Sequence, residues 1–327
     1  MYALRLEQPG STLRMVELPV PKAGAGEVLV RVAAAGLNPL DAKIRAGKAA
    51  HARQEAPAIL GIDMAGIVEA VGEGVTSVAK GDAVYGMTGG VGGIPGSLAE
   101  FAVVDARLLA PAPSRLPLTD SAAIPLGFIT AWEGLVDRAA LGEGQSLLVH
   151  GGAGGVGSMA VQLGVALGAR VVATGNPSQE AIVTTMGAAF VDYRDVPIET
   201  IVEKHTGGVG FDVVYDTLGG ATLDASFKAV RRYGGHVVSS LGWGTHSLAP
   251  LSFRAGTYSG VFTLMPLLSG EGREHHGKIM AEATRLADAG LLRPVLSSRR
   301  FGFADGNAAL DLVESGRSAG KVIVTVG

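Results

Sequence analysis

The chain has 327 residues, which at roughly 150 residues per domain is room for two hydrophobic cores. Its 49 glycines follow no three-residue repeat, which excludes collagen, and 47% hydrophobic against 17% charged residues excludes a disordered chain, because ample apolar surface is available to bury. A net charge of -3 without blocks of like charge offers no footprint for nucleic acid or an anionic membrane, and the absence of cysteine removes disulfides, thiolate nucleophiles and sulfur-held metals.

From Met1 to Val20 charged and apolar residues alternate without a basic stretch followed by an apolar core, so no signal peptide is expected there. No apolar run approaches the ~18 residues of a membrane span, and a cytoplasmic protein without membrane or nucleic-acid partners is the expectation. The first third reads as short strands divided by Gly and Pro: Ala3 to Glu7, Leu13 to Glu17, Glu27 to Ala34, Gly66 to Val71, Ala83 to Tyr85 and Leu98 to Val104. After Leu118 the rhythm changes to helix and strand in alternation, beginning with an apolar helix from Ala122 to Leu135.

Five Val-rich segments, Ser146 to His150, Ala169 to Thr174, Ala189 to Tyr193, Phe211 to Asp216 and His236 to Ser240, read as doubly buried parallel strands. Helices are expected between them over Val156 to Leu167, Ser178 to Met186, Ile198 to His205 and Thr222 to Tyr233, with Gly168, Gly187, Gly207 and Gly234 at their stops. The tail reads as a helix from Glu274 to Ala289, a strand near Arg300, a helix from Asn307 to Ser315 and a closing strand from Lys321 to Val326. The fold class is therefore α/β, with a β-rich part beside a doubly wound parallel sheet.

Strand Ser146 to His150 runs into Gly152-Ala153-Gly154-Gly155-Val156-Gly157 and then a helix. This is GxGxxG inside a β-α-β unit, the context in which the motif binds a dinucleotide. Gly152 is expected to permit the tight turn, Gly154 to admit the pyrophosphate and Gly157 to bring helix and strand together, while the helix amides hold the phosphates. The second strand ends Ala173-Thr174-Gly175-Asn176 without the acidic residue that would grip an unmodified ribose. That small polar end leaves room for a 2′-phosphate and favours NADPH over NADH.

Several motifs in order resemble the medium-chain dehydrogenase/reductase superfamily, within it the zinc-independent quinone oxidoreductase branch. They are Gly36-Leu37-Asn38-Pro39-Leu40-Asp41, Gly61-Ile62-Asp63-Met64-Ala65-Gly66, Gly81-Asp82-Ala83-Val84-Tyr85, Gly96-Ser97-Leu98-Ala99-Glu100-Phe101, the glycine loop, and Asp212-Val213-Val214-Tyr215-Asp216. The resemblance implies a GroES-like catalytic domain built from residues 1–121 and 266–327, a Rossmann domain over 122–265, and a cofactor in the cleft. Where zinc relatives place their three catalytic ligands this chain carries Asn38, Ile62 and Leu126, and no metal is expected.

Without a Lewis acid, the expected chemistry is hydride transfer from NADPH to a small hydrophobic acceptor already activated by conjugation, a quinone or an α,β-unsaturated carbonyl. The resemblance assigns Asn38, Asp41 and Lys43 to the catalytic side of the site. It assigns Thr130, Tyr193 and the strand end Ser240, Leu241 and Gly242 to the cofactor, beside Gly152, Gly154, Gly155, Val156, Gly157, Thr174, Gly175 and Asn176 of the loop and second strand. Against these stand packing roles: a polar turn at Asn38 and Asp41, a solvated Lys43, and a helix-packing Thr130. His275 and His276 lie about 100° apart on a helix, unsuited to one metal, and are expected on a solvated face. Trp243, Phe253, Tyr258 and Phe262 are expected in a core or interface. The segment Thr257 to Met265 is expected to extend the sheet across a two-fold axis in a homodimer. An enoyl-thioester reductase and a non-catalytic NADPH-binding redox sensor are the alternative readings.

Overall fold

The computed structural model describes residues 1–194 and 196–327, and the chain divides into two compact units, 1–126 with 264–327, and 127–263. These limits lie within a few residues of 121/122 and 265/266. The chain is α/β: one unit is β-rich, the other a parallel sheet between helices. No described helix is long and apolar enough to cross a membrane.

In the unit made from both chain ends, the long strand Glu27–Leu37 organises the larger sheet. It pairs antiparallel with Asp63–Val71, with Phe101–Asp105 and with the closing strand Val322–Thr325. The register sets Val322 opposite Leu37 and Asp63 opposite Gly36. Residues Asn38, Asp63 and Lys321 therefore meet at one end of three neighbouring strands. Gly36 is required there, since a Cβ would stand 1.9 Å from the carbonyl oxygen of Ala122.

Pro39–Arg45 forms a short helix where the sequence suggests a polar turn. Pro39 opens the helix with its φ already set, and the Asp41 carboxylate reaches back to accept from the Asn38 N–H at 2.8 Å. In the tail, Arg273–Asp288 buries His276, Ile279, Met280 and Ala283, an i, i+3, i+4, i+7 stripe. His276 is thus 1% exposed, against the expectation of a solvated face, because it shares that stripe.

Among the described residues, the middle unit carries six parallel strands in the order Ala189–Asp192, Arg170–Gly175, Ser146–His150, Val213–Asp216, His236–Ser239 and Thr257–Gly260. The five expected strands are present within a residue or two; Thr257–Gly260 adds the sixth at the edge. Leu148, Val214, Val237, Phe211 and Phe227 fill one side of the sheet. The helix expected over Ala122 to Leu135 is instead Pro125–Trp132 followed by a π-helical stretch, Glu133–Arg138. Helix Ile198–Thr206 ends where expected, at Gly207 with φ 60°.

Strand order reverses beside Ser146–His150: successive parallel strands are added outward to Ala189–Asp192 and then resume on the other side at Val213–Asp216. In a parallel sheet, a ligand sits at such a switch point, outside the carboxyl ends of the strands.

Candidate functional site

The switch point of the parallel sheet is lined by the glycine loop. Gly151, with φ +76°, makes the tight turn that the sequence suggests for Gly152. Gly152 serves close approach instead: a Cβ there would lie 2.5 Å from that of Ala173. Gly157 packs the helix against the loop, where a Cβ would stand 2.0 Å from the Gly151 carbonyl oxygen. Gly155 differs from both, since a Cβ there would meet nothing within 4 Å. Gly154 caps the helix Gly155–Ala166, and the first amides of a helix, those of Gly155, Val156 and Gly157 here, lack intrahelical acceptors. An open cradle of amides at the positive end of a helix is suited to a diphosphate.

His150 stands at the mouth of this loop, 6% exposed. Its Nδ1 lies 3.3 Å from Thr174 Oγ1, and its Nε2 is buried without a partner among the described residues. Burial lowers its pKa to about 4, so the ring is neutral near pH 7. Thr174 also accepts from the Gly151 N–H at 3.2 Å, which ties the second strand to the turn. Asp216, at the end of its strand, accepts from the Gly219 N–H and the Ser239 hydroxyl, while burial raises its pKa.

The remaining predicted cofactor positions fall around the same strand ends. Gly175 ends its strand, and Asn176 begins a turn in which Ser178 Oγ donates to its Oδ1 at 2.6 Å. Tyr193 is 57% exposed just past Ala189–Asp192. The neighbouring Arg194 guanidinium is held by Asp192 at 2.9 Å. Ser240, Leu241 and Gly242 follow His236–Ser239, and a Cβ on Gly242 would overlap the Tyr258 hydroxyl at 1.9 Å. Thr130 is 5% exposed, and its Oγ1 lies 3.1 Å from that of Thr263, which in turn lies 3.0 Å from Glu133 Oε2. Phe253 and Trp243 are 84% and 54% exposed, so neither belongs to the unit's own core. Tyr258 packs edge-on against Phe227 with centroids 5.8 Å apart.

In the β-rich unit, Asn38 and Asp41 lie together in a buried polar cluster. Asp41, fully buried, accepts from the N–H groups of Asn38 and Gly61, and burial pushes its carboxyl up to about 7. The Asn38 amide donates to Asp63 Oδ2 at 3.0 Å, and its Oδ1 accepts from the Lys321 ammonium. Asp63 further accepts from Lys321 Nζ at 2.8 Å and from the Leu126 N–H at 2.9 Å. Lys43 is apart from this cluster, exposed on the far part of the helix Pro39–Arg45.

Asp63, Lys321, Gly151 and His150 are the site residues that sequence reasoning left without a role. Asp63 sits inside a recognised motif beside one of the expected zinc positions, and that adjacency was its available signal. Lys321 had none, being 258 residues away from its partner.

Comparison with known proteins places these features in a family. Residues 24–114 match the alcohol dehydrogenase GroES-like domain, and residues 186–324 match the zinc-binding dehydrogenase domain. The chain is 33% identical over 313 residues to the NADPH-dependent alkenal/one oxidoreductase, chloroplastic, of Arabidopsis thaliana, covering 93% of this chain and 73% of that protein. It is 36% identical over 97% of its length to the spectinabilin polyketide synthase system protein NorB of Streptomyces orinoci, of which it spans 14%. The crystal structure of an alcohol dehydrogenase superfamily protein from Novosphingobium aromaticivorans superposes with a TM-score of 0.98 at 52% identity, over the whole of both chains.

The second domain description raises zinc, and the donor set here does not fit it. Ile62 and Leu126 offer no ligand atom, the Asn38 oxygen and Asp63 already accept from an ammonium, and no group of three or more His, Cys, Asp or Glu suited to a metal occurs among the described residues. The glycine cradle, by contrast, fits a dinucleotide: Gly155 opens onto free space, and His150 presents an unpaired buried nitrogen beside the loop.

Proposed function

The chain belongs to the medium-chain dehydrogenase/reductase superfamily, an oxidoreductase family, and from that premise we propose that it is an NADPH-dependent, zinc-independent reductase of conjugated carbonyl compounds or quinones. The observation that carries this reading is the donor set around Asn38. A metal is one way to polarise the oxygen of an unconjugated alcohol or ketone, and with none held there an acceptor already activated by conjugation, which takes the hydride at carbon, asks least of the site.

When bound, the dihydronicotinamide supplies the hydride. Gly154, Gly155 and the amides opening the helix Gly155–Ala166 would hold its diphosphate, and Thr174, Gly175, Asn176 and Tyr193 its adenosine end. Thr130 with Ser240, Leu241 and Gly242 would bound the nicotinamide. Asn38 and Asp41 act as positioning residues, since their polar atoms are spent on the chain's own groups. The small end of Arg170–Gly175 supports NADPH over NADH, as does the printed name of the Arabidopsis relative.

The likeness to the crystal structure of CurK enoyl reductase, 26% identical over the whole of this chain with a TM-score of 0.87, favours a second substrate class, the enoyl thioester, whose carbonyl is likewise conjugated. Initial rates of NADPH oxidation with an alkenal, a vinyl ketone, a benzoquinone and a crotonyl thioester separate the two readings. The first requires the enone or quinone to be reduced fastest. Thioester turnover ahead of all three assigns the chain to acyl reduction, and tight NADPH binding without any turnover assigns it to redox sensing.

A further inference from the structure

The parallel sheet has a second opening at the end remote from the glycine loop. Ser146 and Arg170 begin neighbouring strands and stand opposite one another in register, and Asp212 immediately precedes Val213–Asp216 on the other side of Ser146. A cavity of about 300 Å³ opens at these strand starts, walled further by His205, Val209 and Arg231. All its lining residues belong to the unit 127–263. The strand Ser146–His150 separates it from the glycine loop by about 13 Å, at ~3.3 Å per residue.

The acid in the cavity wall is already satisfied. Asp212 accepts from the N–H and the hydroxyl of Ser146, at 2.8 and 2.7 Å, and from the Arg231 guanidinium. Arg231 is fixed by that bond and by its own N–H, which donates to Phe211. A guanidinium carries five donors; Arg231 spends one on Asp212, and the exposed Arg170 spends none among the described residues. His205 adds an Nε2 that is buried without a partner among the described residues. Burial, with the Lys204 charge beside it, lowers the His205 pKa, so the ring is neutral near pH 7 and its Nε2–H tautomer is a donor. The Val202 and Glu203 carbonyls in the last turn of Ile198–Thr206 already accept from the Thr206 hydroxyl and the Gly207 N–H, so they do not compete for these donors.

Three donor groups thus line one small cavity whose carboxylate is neutralised, in a chain of net charge -3. A buried donor without an acceptor is costly, and a ligand oxygen relieves the cost. Guanidinium forks match the oxygens of carboxylates and phosphates. A carboxylate offers two oxygens, whereas a phosphate monoester offers three terminal ones, one for each donor group. The volume stands at the lower end of small-molecule sites and leaves room for an organic body against Val209.

We propose that this cavity is a second ligand site, which takes a small organic phosphate monoester on Arg170, Arg231 and His205. It is separate from the cofactor cradle and independent of which acceptor is reduced.

Calorimetric titration of the full chain with glycerol 3-phosphate, in saturating NADPH so that the glycine loop is filled, tests the site. Saturable binding of one molecule per chain is expected, tighter than that of inorganic phosphate or glycerate. Arg170→Gln leaves no partner stranded, so it should melt like the wild type while binding weakens about tenfold or more, the loss of a charge-assisted pair. His205→Leu should weaken binding less, since a neutral donor is lost. Arg317→Gln, which alters an exposed arginine of the other unit, should leave binding unchanged.

Absence of saturable binding overturns the proposal. So does glycerate or inorganic phosphate binding as tightly as the ester, which denies the site its ligand class. Equal losses in Arg170→Gln and Arg317→Gln assign the binding to overall surface charge and overturn it as well.

Discussion

Two glycines three residues or fewer apart do different work, and their substitution separates fold from ligand. A methyl group at Gly157 would press on the backbone at Gly151, so Gly157→Ala should cost about 1–3 kcal/mol of stability and weaken NADPH binding with it. Gly155 faces open space, so Gly155→Ala should melt like the wild type while its NADPH dissociation constant rises roughly tenfold, about 1.4 kcal/mol. Thermal melts and fluorescence titration read both; equal behaviour of the two variants would contradict the assignment of Gly155 to the cofactor. Asp41 gives a pH test. Its folded pKa, raised to about 7 by burial, exceeds the unfolded value, so its contribution is fully present below pH ~4 and is lost as pH rises through 7. Relative to Asp41→Asn, the wild type should therefore lose up to about 4 kcal/mol between pH 4 and 8, and a difference independent of pH would contradict the shift.

At the scale of elements, the proposed preference for NADPH rests on the end of the strand Arg170–Gly175. Asn176 stands where an acidic residue would accept from a ribose 2′-hydroxyl and repel a 2′-phosphate. Asn176→Asp should move the ratio of NADPH to NADH efficiency at least tenfold toward NADH; an unmoved ratio would place the choice elsewhere. Five of the six strands were legible because each is a short apolar run ended by polar or glycine residues, a local pattern. The edge strand Thr257–Gly260 reads less clearly, since TYSG is short and only half-buried. The helix Pro39–Arg45 has its signals in Asn38, Pro39 and Asp41, yet the same residues also describe a turn, and only the burial of Ala42, Ile44 and Arg45 decides between them. The cluster of Asn38, Asp63 and Lys321 is created by sheet register between distant segments, which no local pattern encodes.

For the whole molecule, the outer edge of Thr257–Gly260 is the feature that bears on assembly. The N–H groups of Thr257 and Val261 donate inward to Gly235 and Ser239, so alternation turns those of Tyr258 and Gly260 outward. An open edge of this kind pairs readily with its copy across a two-fold axis. Light scattering should give twice the 33.2 kDa chain mass, and Gly260→Pro, which removes an outward donor, should shift the protein toward monomer; a wild-type monomer would contradict the homodimer.

The central claim is that reduction here proceeds with NADPH and no metal, and the most direct measurement is NADPH oxidation followed at 340 nm with an enone or quinone acceptor, before and after exhaustive chelation. The account predicts acceptor-dependent turnover that is unchanged by the chelator. Activity abolished by chelation and restored by zinc would contradict it.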